Sequence, residues 1–314
     1  MSQQSLTVRI AFYLTLPPLL WAGNTVVGRL LVGTVPPMAL SAMRWAIAIV
    51  LLLPFATRLW RRPQDIRERW PYFALIGILG VGTYNSLQYL ALQTSTPINV
   101  TLIISSMPLW MLAVGAIFYR ERPTRPQIIG ALLSLAGVAL VLSRGDLAVL
   151  MSLHLLPGDM LMLVAIALWA WYSWLLARPP AHMRGDARPP WGWAELLMVQ
   201  MIFGTVWAAG AAGVEAVVSP AQIHWSPMVV LALAYVAIGP SLLAYRYWGE
   251  GVSTVGPAVA AFFSNLTPVF AAVMSALWLG EPPRWYHVGA FVLIGAGIVV
   301  NSRPAKPPAQ KVPG

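Results

Sequence analysis

Residues 107–142, MPLWMLAVGAIFYRERPTRPQIIGALLSLAGVALVL, and residues 267–300, TPVFAAVMSALWLGEPPRWYHVGAFVLIGAGIVV, are two versions of one segment, set 160 residues apart. Each opens on a proline in an apolar stretch, turns through a short charged loop with proline, and ends in a glycine-rich apolar stretch. At that offset Pro97 pairs with Pro257, Pro108 with Pro268, Glu121 with Glu281, Pro123 with Pro283 and Gly137 with Gly297. Breakers and loop charges do not coincide this often by chance, so the chain is internally repeated. A second pairing, Trp21-Ala22 with Trp169-Ala170, marks the start of each half.

Outside these segments the composition sets the class. Of 314 residues 58% are hydrophobic and only 10% charged, with a mean hydropathy of +0.70. A soluble domain carries about a quarter charged residues to cover its surface. This chain cannot, and its solvent is expected to be hydrocarbon. At 1.5 Å per residue, about 20 apolar residues cross the ~30 Å core of a bilayer. Such stretches occupy 10–32, 37–57, 71–92, 97–119, 125–143, 156–177, 191–213, 226–248, 256–279 and 285–302. The connections carry helix breakers such as Pro36-Pro37, Arg122-Pro123, Pro179-Pro180 and Glu281-Pro282-Pro283. The first stretch follows Arg9, is too long for a signal-peptide core and lacks an A-x-A site, so it reads as a retained helix. The expected fold is an all-α membrane protein of ten transmembrane helices.

Basic residues test that count. With the N-terminus inside, sixteen of the 20 Lys and Arg fall on inner segments, 1–9, 58–70, 120–125, 178–190, 246–254 and 303–314. Only Arg29, Arg144 and Arg284 fall outside, and Arg44 lies within the second stretch. The bias predicts ten crossings with both termini cytoplasmic, and the expected location is a bacterial inner membrane. The net charge of +10 is then a topology signal, and no nucleic-acid partner is expected. Ten helices in two repeats make five per half. Five is odd, so the halves enter the membrane from opposite sides. Inverted repeats around a central cavity suit alternating access, because exchanging the conformations of two similar halves moves the opening from one face to the other. The halves are placed at 1–150 and 151–302, and residues 303–314, with four prolines and two lysines, read as a disordered cytoplasmic tail.

The polar and aromatic residues inside the spans are the candidates for a substrate site. Trp21, Asn24, Thr25 and Gly28 share one face of the first helix at i, i+3, i+4 and i+7, and Trp169, Tyr172 and Ser173 repeat that spacing on the sixth. The third helix brings Tyr84, Asn85, Gln88 and Tyr89, and the eighth brings Tyr245 and Trp248 at the matching place in the repeat. Amides in hydrocarbon are costly unless satisfied, so Asn24, Asn85, Gln88 and Asn265 belong either on a watered cavity or between helices as glue. Pro108 and Pro268 lie mid-span. Each frees the carbonyl four residues back, at Ile104 and Ser264, and reads as a hinge offering acceptors to a substrate. The alternative is a static kink, closed by hydroxyls such as Ser105 or Thr267. Ser105, Ser264 and Asn265 join the candidate site on this ground. Gly130, Ser134 and Gly137 on the fifth helix, and Gly289, Ala296 and Gly297 on the tenth, mark close helix packing.

Catalysis finds no support. There is no cysteine, no H-E-x-x-H and no G-x-S-x-G. Asp159, Glu195 and Arg246 sit near helix ends, where the two acids are expected to face water and headgroups, and all four histidines fall in loops or at helix ends. Neither enzyme activity, a metal nor a cofactor is expected. Arg44 alone is a charge well inside a span, either binding a substrate carboxylate or snorkelling to headgroups.

The two repeated segments resemble the drug/metabolite transporter superfamily, in its ten-helix EamA-type branch. That family's half-repeat ends in a Pro-containing helix, a Gly-Glu-x-Pro loop and a Gly-rich helix. The loop glycine is Arg120 in the first half here, and the first helix reads Trp21-Ala22-Gly23-Asn24 where the family often has Trp-Gly. The resemblance implies a basket of helices one, three, four, six, eight and nine around the cavity, with helices five and ten packed together at one end. It also implies export of amino acids and related metabolites, one group handling aromatic amino acids and paraquat.

The expected partners are thus a small neutral or aromatic amino acid and the lipid bilayer; oligomeric state leaves no mark in the sequence. With no titrating group legible on the path, flow down the substrate gradient is the expectation. The alternatives are an ion-coupled exporter of drug-like compounds and, from another class, a non-transporting assembly protein or scramblase.

Overall fold

The computed structural model describes residues 6–219, 222–279 and 284–301, and among them no strand occurs. The expected tail at 303–314 and the loop residues Glu281, Pro282 and Pro283 lie outside the described residues. The long helices are α1 (Val8–Leu30), α2 (Pro37–Leu52), α3 (Pro63–Thr94), α4 (Pro97–Ser105 and Met107–Tyr119), α5 (Arg125–Leu142), α6 (Pro157–Ala177), α7 (Trp193–Val218), α8 (Pro227–Val255), α9 (Pro257–Ser264 and Thr267–Leu279) and α10 (Trp285–Asn301), with short helical turns at Thr57–Arg61 and Leu147–Met151 between them. Seven spans are long and apolar enough to cross a membrane singly, α4 joins them across a 43° bend, and the helices of α9 and α10 are shorter but apolar. Each of the ten expected stretches is therefore helical. Proline stands in the first turn of several, where its missing N–H would have had no partner anyway. Side chains of Thr7, Thr96, Thr124 and Ser226 cap the exposed N–H groups of α1, α4, α5 and α8.

The inversion is visible in the contacts. A Cβ on Gly130 would lie 2.8 Å from the Gly297 carbonyl oxygen, and one on Gly137 would lie 2.9 Å from that of Ala290. In the 160-residue register, Gly130 corresponds to Ala290 and Gly137 to Gly297. Each residue thus meets the other's counterpart, as a two-fold axis between α5 and α10 requires. The loops sort by face as the basic residues predicted. Arg58 donates to the Pro190 carbonyl and Arg69 to those of His182 and Ala187 at one end. At the other, the His224 amide donates to Thr34 and Asn99 to the His154 carbonyl.

Two features depart from plain helices. Gly77–Thr83 in α3 and Ala237–Leu243 in α8 are π-helical, and they occupy equivalent positions of the repeat. In α8 the cause is Pro240, which has no N–H for the Val236 carbonyl; Ser241 Oγ donates to that oxygen instead, at 2.7 Å. In α3, Gly77 and Gly80 allow close approach, since a Cβ on either would sit 2.6 Å from the Gln200 carbonyl of α7 or the Tyr172 ring of α6.

The hinge expectation at Pro108 changes in detail. The helix is interrupted at Ser106, so Pro108 falls in the first turn of the second piece. Ser105 Oγ donates to the Thr101 carbonyl at 2.7 Å and Ser106 Oγ to that of Ile103 at 2.5 Å, so Ser105 does not serve Ile104. The break in α9, at Asn265 and Leu266, likewise puts Pro268 in a first turn.

Candidate substrate-binding site

Carbonyls are offered to the centre by the π segments. The Gly80 oxygen accepts from Tyr245 Oη at 2.6 Å and from Asn85 Nδ2 at 3.3 Å. Its counterpart, the Pro240 oxygen, accepts from Trp21 Nε1 at 3.3 Å. Asn85 Nδ2 also donates to Tyr245 Oη at 2.8 Å, across 160 residues of sequence, so these equivalent residues touch where the halves meet.

Five rings surround Trp169, with centroids 4.6 Å away at Tyr84, 5.0 Å at Tyr172, 5.4 Å at Trp21 and Tyr245, and 5.7 Å at Trp248. The contacts with Trp21 and Tyr245 are edge-to-face, the arrangement that ring quadrupoles favour. Trp248 Nε1 donates to Ser173 Oγ and Tyr172 Oη to Gln200 Oε1, which fixes two of these rings from behind.

A polar cluster lies beside the rings. Arg44 of α2 is fully buried. Its Nη1 donates to Asn24 Oδ1 of α1 at 3.2 Å and, on α3, to Asn85 Oδ1 at 3.0 Å and Tyr89 Oη at 2.6 Å. Its Nε donates to Ser241 Oγ of α8 at 2.9 Å. The guanidinium carbon lies 4.9 Å from the Trp45 ring centroid. The snorkelling reading is overturned: the head turns inward, because three helices supply neutral acceptors there.

Two spaces adjoin these residues. A small central cavity is lined by Trp21, Asn24, Tyr84, Asn85, Gln88 and Tyr245, with Thr25, Ile104, Met107, Ser264 and Thr267 completing its wall. Its free volume of ≈20 Å³ admits about one water, so it is closed in this conformation. A vestibule of ≈400 Å³ opens at the end that carries residues 178–190 and is lined by Tyr172, Arg188, Gln200, Tyr245, Arg246 and Glu250 among others. Tyr245 belongs to both walls.

The EamA-like transporter family model matches this chain twice, over residues 8–143 and 156–303. The chain belongs to the EamA-like transporter family. It is 26% identical to an uncharacterised Bacillus subtilis transporter, YyaM, over 86% of each chain. It is 26% identical to a probable terminal-alkyne amino-acid exporter of Streptantibioticus cattleyicolor over 84% of each. It is 24% identical to a probable amino-acid metabolite efflux pump of Salmonella typhimurium, over 92% of this chain and 93% of that one. A solved structure described as "Crystal structure of protein" shares the fold, with a TM-score of 0.70 at 22% identity over 93% of this chain and 97% of the other.

In this EamA-family chain the expected residues divide into three groups. Trp21, Asn24, Tyr84, Asn85, Gln88, Tyr245 and Ser264 line the central cavity. Tyr172 faces the vestibule, while Trp169 and Trp248 form the ring cluster behind both spaces. Ser105 is buried and turned back on its own helix, and Asn265 is buried with neither amide atom paired. The acids do not face water as expected. Asp159 is fully buried and accepts from Ser95 Oγ, from Asn99 Nδ2 at 2.6 Å and from the Leu156 amide at 2.8 Å. Glu195 is 5% exposed and caps the Gly192 amide. Both sit at helix starts, as the sequence indicates, but loops and neighbouring helices cover them. Ser241, Met107 and Thr267 were not among the candidates. Ser241 and Thr267 carried a signal, since each adjoins a mid-span proline whose freed carbonyl needs a hydroxyl.

Proposed function

We propose that this transporter exports small neutral amino acids and related metabolites, aromatic ones among them, by alternating access. The observation that carries the reading is the placement of a ring- and amide-walled cavity where equivalent residues of the two halves meet. Aromatic faces suit an aromatic or sulfur side chain, while amides and the Gly80 and Pro240 carbonyls suit a zwitterion's backbone groups. A phosphate or nucleotide sugar would call for several cations on the wall, and none lines the central cavity among the described residues. Two relatives, a probable terminal-alkyne amino-acid exporter and a probable amino-acid metabolite efflux pump, favour the same class.

The excess of Lys and Arg on the vestibule's end supports reading that end as cytoplasmic, with both termini there, in a bacterial inner membrane. Substrate would then load from the cell interior, through the vestibule and past Tyr245. The halves that exchange conformation are taken as 1–150 and 151–302. Among the described residues the central wall holds no acid, and the buried Asp159 and Glu195 are engaged as helix caps, so flow is read as driven by the substrate gradient alone.

The test is a proteoliposome assay with labelled phenylalanine, methionine and threonine. Counterflow of these, with no accumulation under imposed pH or Na⁺ gradients, is expected. Carriage of nucleotide sugars with none of the amino acids would overturn the substrate class, and uphill accumulation would overturn uncoupled flow.

A further inference from the structure

Arg44 carries a charge that its surroundings do not answer. It is fully buried, yet none of the four ion pairs found among the described residues includes it. Every hydrogen-bond acceptor it has is neutral, and its Nη2 is buried without any partner. A cation inside a span is expensive, and such residues pair with one another, with carbonyls or with what passes through. Two of its acceptors, Asn24 and Asn85, touch the guanidinium on one side and wall the central cavity on the other. The vestibule on the way in holds Arg188 and Arg246 against the single acid Glu250.

We propose that the transported molecule bears a carboxylate and that Arg44 is its anchor, reached when the carboxylate displaces the Asn24 and Asn85 oxygens and takes Nη2. This rests on, and narrows, the substrate reading above. The chemistry is that of the planar guanidinium fork, whose parallel N–H groups match a carboxylate and not its amide. The amides then act as stand-ins that keep the cation solvated between cycles. The Trp21, Tyr84 and Tyr245 rings remain free to take the rest of the molecule.

The experiment uses purified full-length protein and matched ligand pairs that differ only at the carboxyl group: phenylalanine with phenylalaninamide, and 3-phenylpropionate with 3-phenylpropionamide. Ligand-induced thermal stabilisation gives half-saturation for each. The expected result is that each carboxylate half-saturates at a concentration at least about tenfold lower than its amide, about 1.4 kcal/mol. Arg44→Gln should bring the ratio within about twofold, and Arg44→Lys should restore part of it. Equal saturation by acid and amide in the native protein overturns the anchor, and that comparison stands even if both variants misfold. If phenylpropionate binds and phenylalanine does not, the amino-acid reading fails and the anchor holds. If phenylalanine and its amide bind alike, the reverse is true. Binding of no member of either pair overturns both.

Discussion

The two halves share a scaffold and differ in what they bring to its centre. The first supplies the polar corner, with Asn24, Arg44, Asn85, Gln88 and Tyr89, while the second supplies most of the rings, with Trp169, Tyr172, Tyr245 and Trp248. At matched positions of α3 and α8, Asn85 faces Tyr245 across the axis and Gln88 corresponds to Trp248. The features that govern shape stay paired: both π segments, both helix breaks, and the glycine contacts between α5 and α10. Symmetry of the backbone serves the motion, and divergence of the inner faces makes a site with one polar and one aromatic wall.

Breaking the polar wall should cost most. Asn85→Leu removes an acceptor from a buried charge and the amide bonded to Tyr245, a loss of about 1.5–3 kcal/mol for a hydrogen bond to a charged group, with the bond to Tyr245 lost besides. A sharp fall in melting temperature of the purified protein, with transport abolished, is expected. A variant as stable as the native protein would show that Arg44 does not depend on this corner. Next comes the shared scaffold. Gly80→Ala places a methyl against the Tyr172 ring, an overpacking worth about 1–3 kcal/mol. It should lower stability and slow all substrates alike, measured as initial rates for phenylalanine and threonine. Selective slowing of one of them would assign Gly80 to recognition.

Breaking the aromatic wall should alter choice more than folding. Tyr84→Ala is expected to weaken phenylalanine about tenfold, roughly one ring contact with its buried area, and threonine by less than about twofold, read from half-saturation in proteoliposomes. Equal effects would return Tyr84 to packing. The smallest change is Tyr245→Phe. It deletes only the hydroxyl that joins Gly80 and Asn85, about 0.5–1.5 kcal/mol, and should shift the rate of opening to the vestibule while leaving half-saturation nearly unchanged.

The same division marks what the sequence made legible. Hydropathy and length found all ten spans; the small residues Gly130, Gly137 and Gly297 marked close helix packing, and the family resemblance named α5 and α10 as the pair that makes it. The aromatic and amide candidates largely converged, since polar groups in hydrocarbon have few places to go. The π segment of α3 was invisible, because a one-residue change in helical register leaves composition untouched, whereas that of α8 has its cause in Pro240. The surroundings of Arg44 were also out of reach. Asn24, Ser241 and Tyr89 come from three other helices, and nothing local in the second span encodes their arrival. Asp159 and Glu195 were placed correctly at helix starts but wrongly in water, because coverage by loops is a tertiary fact.

Alternating access requires the cavity to open to one end at a time. Because the chain has no cysteine, single probes are clean. Leu196→Cys lies on the vestibule, and Leu92→Cys replaces a side chain buried at the closed end. Alkylation by a membrane-permeant maleimide during transport should change reciprocally, with any ligand that raises labelling at 92 lowering it at 196. Labelling that rises at both together, or never appears at 92 while substrate is moving, would contradict alternating access.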